Sequence, residues 1–389
     1  MLTPTQIHAT YGHASLDKSK RPGLVRAMVI CASAKFRTEV VSALQSVYEV
    51  DFYSSTDAAL LALRRGVTPG VIVLDYQLMV RHSREFIKVK LQEERLQDVP
   101  MLLTGTVEED EFKKTVRMAC RVNYLQRPFL KSQLRDAAGK LVDGPIEDRW
   151  KRLPERQKQA LQNSASNFRA IETKVKKGHP LNMCDNKESC APLMDEVLDG
   201  NAATLIENVK DHNNHTYVHS VKVATLMSLL GQAIGIKGDE LLTITTGGML
   251  MDVGKVATRQ DLLNTPENLD KTQMKELKKH VLYSHNILEE TENVGEGIKV
   301  IAEQHHEKLD GSGYPRGLKG KELNELARLS TIADIFCGLT DKRPYKPAFS
   351  FEQSIKVLEK MEGQIDPFLL ALFKQVVQLA FDKPAATVH

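Results

Sequence analysis

The stretch His305-His306-Glu307-Lys308-Leu309-Asp310-Gly311-Ser312-Gly313-Tyr314-Pro315-Arg316-Gly317-Leu318 decides the reading of the C-terminal half of the chain. Two adjacent histidines end a helix that begins near Gly297, and a loop rich in glycine follows them. Working outward, nearly everything from Asn201 onward reads as helix, broken by polar loops near Thr265–Leu269 and Leu309–Lys321. The domain is therefore all-α. Upstream, His215 and His219 lie four residues apart on one helix face, which continues as the apolar stripe Val223, Leu226, Leu230, Ala233. Two imidazoles that extend a buried stripe need partners, and a metal ion is a good one. Met251-Asp252-Val253-Gly254-Lys255 ends a helix opening near Asp239, His280 lies on a helix over Lys271–Glu289, and Asp334 lies on a further helix. Taken singly, each is an ordinary core or surface residue. A bundle that projects His and Asp inward from several helices is a recognised way to build a binuclear centre.

The loop resembles the HHE-x-x-DGxGYP signature of HD-GYP phosphodiesterases, and the landmarks from about His215 to Lys346 follow in order at compatible spacing. The resemblance implies a helical HD-domain bundle that hydrolyses cyclic di-GMP to linear pGpG, and onward to GMP in some readings, with two divalent transition metals, Fe or Mn. It assigns His219, Asp252 and Asp334 to the first metal, with Asp252 bridging to a second metal completed by His280, His305 and His306. It places Lys255 on the scissile phosphate, and Tyr314, Arg343 and Lys346 on the guanine or phosphate of the dinucleotide. Chemistry agrees with such a site: paired metals about 3.5–4 Å apart clamp attacking and leaving oxygens, and mixed His and carboxylate donors suit transition metals better than Mg²⁺ or Ca²⁺.

The chain departs from that pattern at Met251, where the family has the His of the HD pair; a thioether is a weak ligand for Fe or Mn. His215 stands where some members place an extra carboxylate ligand. It either compensates within the first site or lies behind it. Cys337 replaces an Asp near the distal ligand, where a packing role is expected. Three readings stay open: an active phosphodiesterase with an altered metal centre, holding one metal if the first site is empty; an inactive domain that binds cyclic di-GMP or a partner as a sensor or scaffold; and an HD phosphohydrolase for another nucleotide.

The N-terminal half follows another rhythm. Strands expected at Val25–Cys31, Val50–Tyr53, Gly70–Leu74, Met101–Thr104 and Tyr124–Leu125 alternate with helices at Lys35–Val47, Thr56–Arg65, Arg84–Glu94, Asp110–Cys120 and Leu130–Leu141. That alternation predicts an α/β doubly wound parallel sheet. It resembles a response-regulator receiver: Asp75 ends the third strand at the phosphoacceptor position, Thr104 matches the switch hydroxyl, and Tyr124-Leu125-Gln126-Arg127-Pro128-Phe129 matches the Lys-Pro turn. The acidic pair that would hold Mg²⁺ is replaced by Cys31-Ala32-Ser33, and the Lys by Arg127. With one carboxylate left, the expected role is binding a partner protein or dimerising rather than phosphotransfer.

The organisation read from the sequence is a loose leader over 1–23, the receiver-like domain over 24–141, a helical linker over 142–199 and the HD-GYP domain over 200–389. The linker has one helix-like stretch from Ile146 to Lys177 and a polar break around Gly178–Cys190. A net charge of +3, from 53 Lys and Arg against 50 Asp and Glu, argues against nucleic acid or an anionic membrane as a bulk partner. The five cysteines form no CxxC pair, so neither a disulfide framework nor a zinc finger is expected, and Cys184 with Cys190 is read as inert. No apolar run reaches membrane-spanning length, so a cytosolic location is expected.

Overall fold

The computed structural model describes residues 25–45, 47–76, 80–106, 121–212, 214–258, 260–263, 269–341 and 348–382. The chain divides into two units, Met1–Pro145 and Ile146–His389. The expected leader, the helix read at Asp110–Cys120, and Arg343 and Lys346 lie outside the described residues.

The first unit is the predicted doubly wound sheet. Strands β1 (Arg26–Ile30), β2 (Glu49–Tyr53), β3 (Val71–Asp75), β4 (Met101–Gly105) and β5 (Val122–Gln126) are all parallel, in the order β2-β1-β3-β4-β5. That is the receiver-type order, whose switch point lies between β1 and β3. Alternation along the strands sorts side chains to two covered faces. Ala27, Val29, Val71, Val73 and Leu102 pack with α1 (Ala34–Leu44) and with Leu134 and Ala138 of the helix after β5. Met28, Ile30, Ile72, Leu74 and Leu103 pack with α2 (Thr56–Arg64) and α3 (Val80–Gln92). Both faces being buried explains why β3 and β4 read as continuous apolar runs.

At the carboxyl ends of β1 and β3, the Arg127 guanidinium lies 3.1 Å from Asp75 Oδ2 and donates to Thr104 Oγ1 at 3.5 Å. Cys31 Sγ donates to Asp75 at 3.6 Å, and burial followed by the Asp75 charge pushes this thiol up to about 11. Ser33 caps α1 by accepting from Phe36 N at 3.3 Å. The crevice is thus occupied by the chain's own guanidinium and thiol.

Helix α4 (Lys131–Trp150) spans the boundary, and its residues from Ile146 belong to the second unit. The stretch read as a linker is built into that unit's core: Trp150, Leu161, Phe168, Cys190, Leu193 and Val197 are all buried together. The single helix expected over Ile146–Lys177 is broken before Pro154, and α5 runs Glu155–Lys176. Proline removes a donor and disfavours helix in the residue before it. The polar break also ends earlier than expected. Asn182 accepts from Cys184 N and Asp185 N and starts α6 (Met183–Leu198).

The rest of the unit comprises α7 (Ala202–Val209), α8 (His215–Ala233), α9 (Gly238–Leu250), a 3₁₀ turn Val253–Val256, α10 (Lys271–Lys278), α11 (His280–Glu289), α12 (Glu296–Gln304), α13 (Glu325–Thr340), α14 (Phe351–Glu359) and α15 (Pro367–Asp382). Helix α8 is the axis, packed against α7, α9, α13 and α15. The expected one-sided stripe is corrected here: α8 is buried all round from Tyr217 to Ser228, whereas Ala233 is exposed. The single helix read over Lys271–Glu289 is two, joined at Lys279. Among the described residues no helix is long and apolar enough to cross a membrane.

Candidate metal centre

Four helices, α8, α11, α12 and α13, bring side chains to Asp252, which precedes the 3₁₀ turn and is 1% exposed. Its Oδ1 faces His280 Nε2 at 3.3 Å and His305 Nε2 at 3.5 Å, and its Oδ2 faces His219 Nε2 at 3.4 Å. His306 Nε2 lies 3.2 Å from His280 Nε2, and Asp334 Oδ1 lies 3.0 Å from His219 Nε2. Two donor groups result, Asp252 with His280, His305 and His306, and Asp252 with His219 and Asp334, each with ligand atoms within 4.8 Å of one another. Asp252 belongs to both.

Local sequence explains how these side chains arrive. His305 and His306 stand where α12 ends, so one imidazole is fully buried while the other turns toward Asp334 Oδ2, 3.2 Å from its Nδ1. Gly254 allows the turn after Asp252 to lie on α11. Its N–H donates to Ser284 Oγ at 2.8 Å, and a Cβ there would meet His280 O at 2.1 Å. His280 Nδ1 donates to Leu277 O at 2.7 Å and His305 Nδ1 to Ala302 O at 2.9 Å. With the proton fixed on Nδ1, the Nε2 lone pair of each ring is left facing Asp252.

Electrostatics follow from burial opposed by close charges. Burial works to raise the Asp252 carboxyl, but Lys255, with Nζ 2.5 Å from Oδ2, and the facing His280 and His305 rings hold it well below the usual range. Asp334 is likewise held low against burial by His306 and His219. Burial, then the neighbouring His305, pushes His306 down to about 3. His219 rises to about 9: burial opposes this, but hydrogen bonds to Asp334 and Asp341 prevail. Ionised carboxylates and neutral imidazoles are the forms that bind metals; Asp252, Asp334 and His306 are in those forms near neutral pH, whereas His219 would have to give up a proton.

The residues fit a metal pair. Asp252 Oδ1 and His305 Nε2 are buried without a hydrogen-bond partner and face one another at 3.5 Å; with the ring proton on Nδ1 both are acceptors, so neither can satisfy the other. Such orphaned donors and acceptors are costly unless something further engages them.

The loop after the histidines forms one wall of the centre. Tyr314 stacks on His306 at 4.6 Å between centroids, and Lys278 Nζ lies 4.5 Å from the centroid of the same Tyr314 ring. The fully buried Glu307 carboxylate anchors the loop by accepting from Arg316 N at 2.6 Å, Gly317 N at 3.1 Å and Leu318 N at 3.0 Å. Gly313 permits the return past Glu307, whose Cα would be 2.4 Å from an added Cβ.

Two expected positions fall elsewhere. Met251 is fully buried in the apolar core with Val223, Leu250 and Ile301. His215, read either as an extra ligand of the first site or as a residue behind it, is exposed at the start of α8 and belongs to neither donor group. Four residues of helix place it about 6 Å along the axis from His219. Cys337 packs in the apolar core. Sequence reasoning missed Asp341, which accepts from His219 Nδ1 at 2.7 Å, and Lys222, which reaches Asp341 and Thr340. It also passed over the anchoring role of Glu307. A lysine in the middle of a helix with no other Lys, Arg, Asp or Glu, as at Lys222, was the available signal.

The HD domain family profile matches residues 203–369. Relatives that match over this region include the 3'3'-cGAMP-specific phosphodiesterase 3 of Vibrio cholerae, 30% identical over 51% of this chain and 43% of that protein. A cyclic di-GMP phosphodiesterase of Pseudomonas aeruginosa is 28% identical over 46% of this chain and 43% of its own length. The cyclic di-GMP phosphodiesterase response regulator RpfG of Xanthomonas campestris pv. campestris is 24% identical over 76% of this chain and 72% of that protein, so this likeness reaches beyond the HD domain. The match spans less than half the length of the first two relatives.

Proposed function

We propose that this chain is a metal-dependent phosphodiesterase that opens cyclic di-GMP to linear pGpG, using Fe or Mn. The observation that carries the reading is the sharing of Asp252 by two donor groups, with Lys255 against the same carboxylate and Tyr314 stacked beside His306. Bound there, two divalent metals supply Lewis acidity and a water acidic enough to act as nucleophile near neutral pH. The chain's own groups do the rest. Lys255 places a positive charge beside Asp252, where it neutralises charge developing on the phosphate's non-bridging oxygens. Tyr314 offers an aromatic face to a guanine, and Lys278 adds charge at the same wall. Arg343 and Lys346 are proposed to grip the dinucleotide. The sheet unit, with its phosphoacceptor crevice filled, is proposed to bind a partner protein or a second copy.

The packing of Met251 into the core favours a second reading, a receptor that binds the dinucleotide without turnover. Product analysis separates them. Incubation with cyclic di-GMP and Mn²⁺ or Fe²⁺ is expected to yield pGpG, with 3'3'-cGAMP as the competing substrate. Lys255→Ala is expected to lower turnover by about 10²–10³-fold with metal content unchanged. Binding without product under either metal would establish the receptor instead.

A further inference from the structure

We propose that Asp341, held by Lys222, is the positioning residue that makes the first metal site bindable in this chain; the inference rests on the metal-centre reading above. Asp334 lies on α13 and Asp341 caps its C-terminus about two turns later, so one element and its cap bring two carboxylates to the same imidazole. Asp334 Oδ1 lies 3.0 Å from His219 Nε2, and Asp341 Oδ2 lies 2.7 Å from His219 Nδ1. The ring is therefore clamped at both nitrogens.

Asp341 is itself fixed. Its other oxygen receives the buried Lys222 ammonium, which also donates to Thr340 Oγ1 at 3.0 Å, and its backbone N–H donates to Cys337 O at 2.7 Å. Lys222 sits one turn after His219 on α8, so one helix supplies the ligand and the cation that fixes the ligand's orienting carboxylate. His280 and His305 obtain the same tautomer from backbone carbonyls. His219 alone among these three rings obtains it from a side chain, and a side chain can be replaced.

The need is greater at this site than at the second. The second donor group has four residues, and the first has His219, Asp252 and Asp334, with Met251 in the apolar core and His215 exposed. A three-donor site tolerates little misorientation of its one imidazole.

The test compares metal content and metal affinity in the full-length wild type, Asp341→Asn, and the Asp341→Asn/Lys222→Met pair, which leaves no unpaired buried ammonium. An amide can turn its NH₂ toward Nδ1 and force the proton onto Nε2, the wrong tautomer for binding. We expect wild type to hold two Mn²⁺ per chain. Both variants should lose one, with about 10–100-fold weaker binding at that site, while keeping the other ion and the folded Trp150 fluorescence signature. Asp341→Glu should recover part of the loss. Two ions at wild-type affinity in both variants would overturn the positioning role and leave the metal-centre reading standing. A wild type that binds no ion would overturn both.

Discussion

Replacing Glu307 with Ala should loosen the loop that walls the metal centre. The carboxylate accepts three backbone N–H groups, from Arg316, Gly317 and Leu318, and is itself fully buried. Each orphaned donor costs about 1–3 kcal/mol when dry. The loop side is partly open to water, which recovers some of that, so the net loss expected is about 3 kcal/mol. For a unit of this size the shift is about 2–4 °C per kcal/mol, or about 6–12 °C in Tm. The chain's single tryptophan, Trp150, is buried in the helical unit, so its fluorescence follows that unit alone. Glu307→Gln keeps an acceptor oxygen but turns an NH₂ toward a donor, and should lie between wild type and Glu307→Ala. A loss below about 0.5 kcal/mol, the range of ordinary surface substitutions, would refute the anchoring role.

Metal-free protein should be most stable near pH 6.5. The His219 pKa is raised to about 9, so its contribution is complete below 6.5 and lost as pH rises toward 9. His306 is depressed to about 3, so the unfolded chain binds the extra proton between 6.5 and 3 and stability falls as pH drops through that window. Urea midpoints across pH in chelator check both arms; a monotonic profile from pH 4 to 9 would contradict them. Gly254→Ala should cost about 1–3 kcal/mol and lower metal content, because its Cβ would strike His280 O at 2.1 Å; unchanged metal content would count against the close approach. Acetyl phosphate should not label the sheet unit, where the Arg127 guanidinium lies against Asp75. Stoichiometric labelling that disappears in Asp75→Ala would show otherwise.

The sheet was legible because strands buried on both faces leave apolar runs at regular spacing, and because Asp75 and Thr104 mark their carboxyl ends. The candidate donors that the structure brings together around Asp252 were singled out in the sequence through the loop after His305 and His306. What the sequence hid were contacts set by tertiary packing. Asp341 lies 122 residues from the imidazole it orients, and no local pattern pairs them. Helix α8 carries polar residues at several positions yet is buried all round from Tyr217 to Ser228, and Tyr217, His219 and Lys222 find partners outside it. His215 looked equivalent to His219 by periodicity, but one helical turn separates the buried axis from the exposed end. The linker reading failed to register that Trp150, Leu161 and Phe168 form a buried set once α6 and α7 cover them.

The most direct test of the central claim is metal analysis of anaerobically purified protein alongside turnover of cyclic di-GMP. The account predicts two transition-metal ions per chain and accumulation of pGpG. One ion or none, with cyclic di-GMP intact after addition of Mn²⁺ or Fe²⁺, would contradict it.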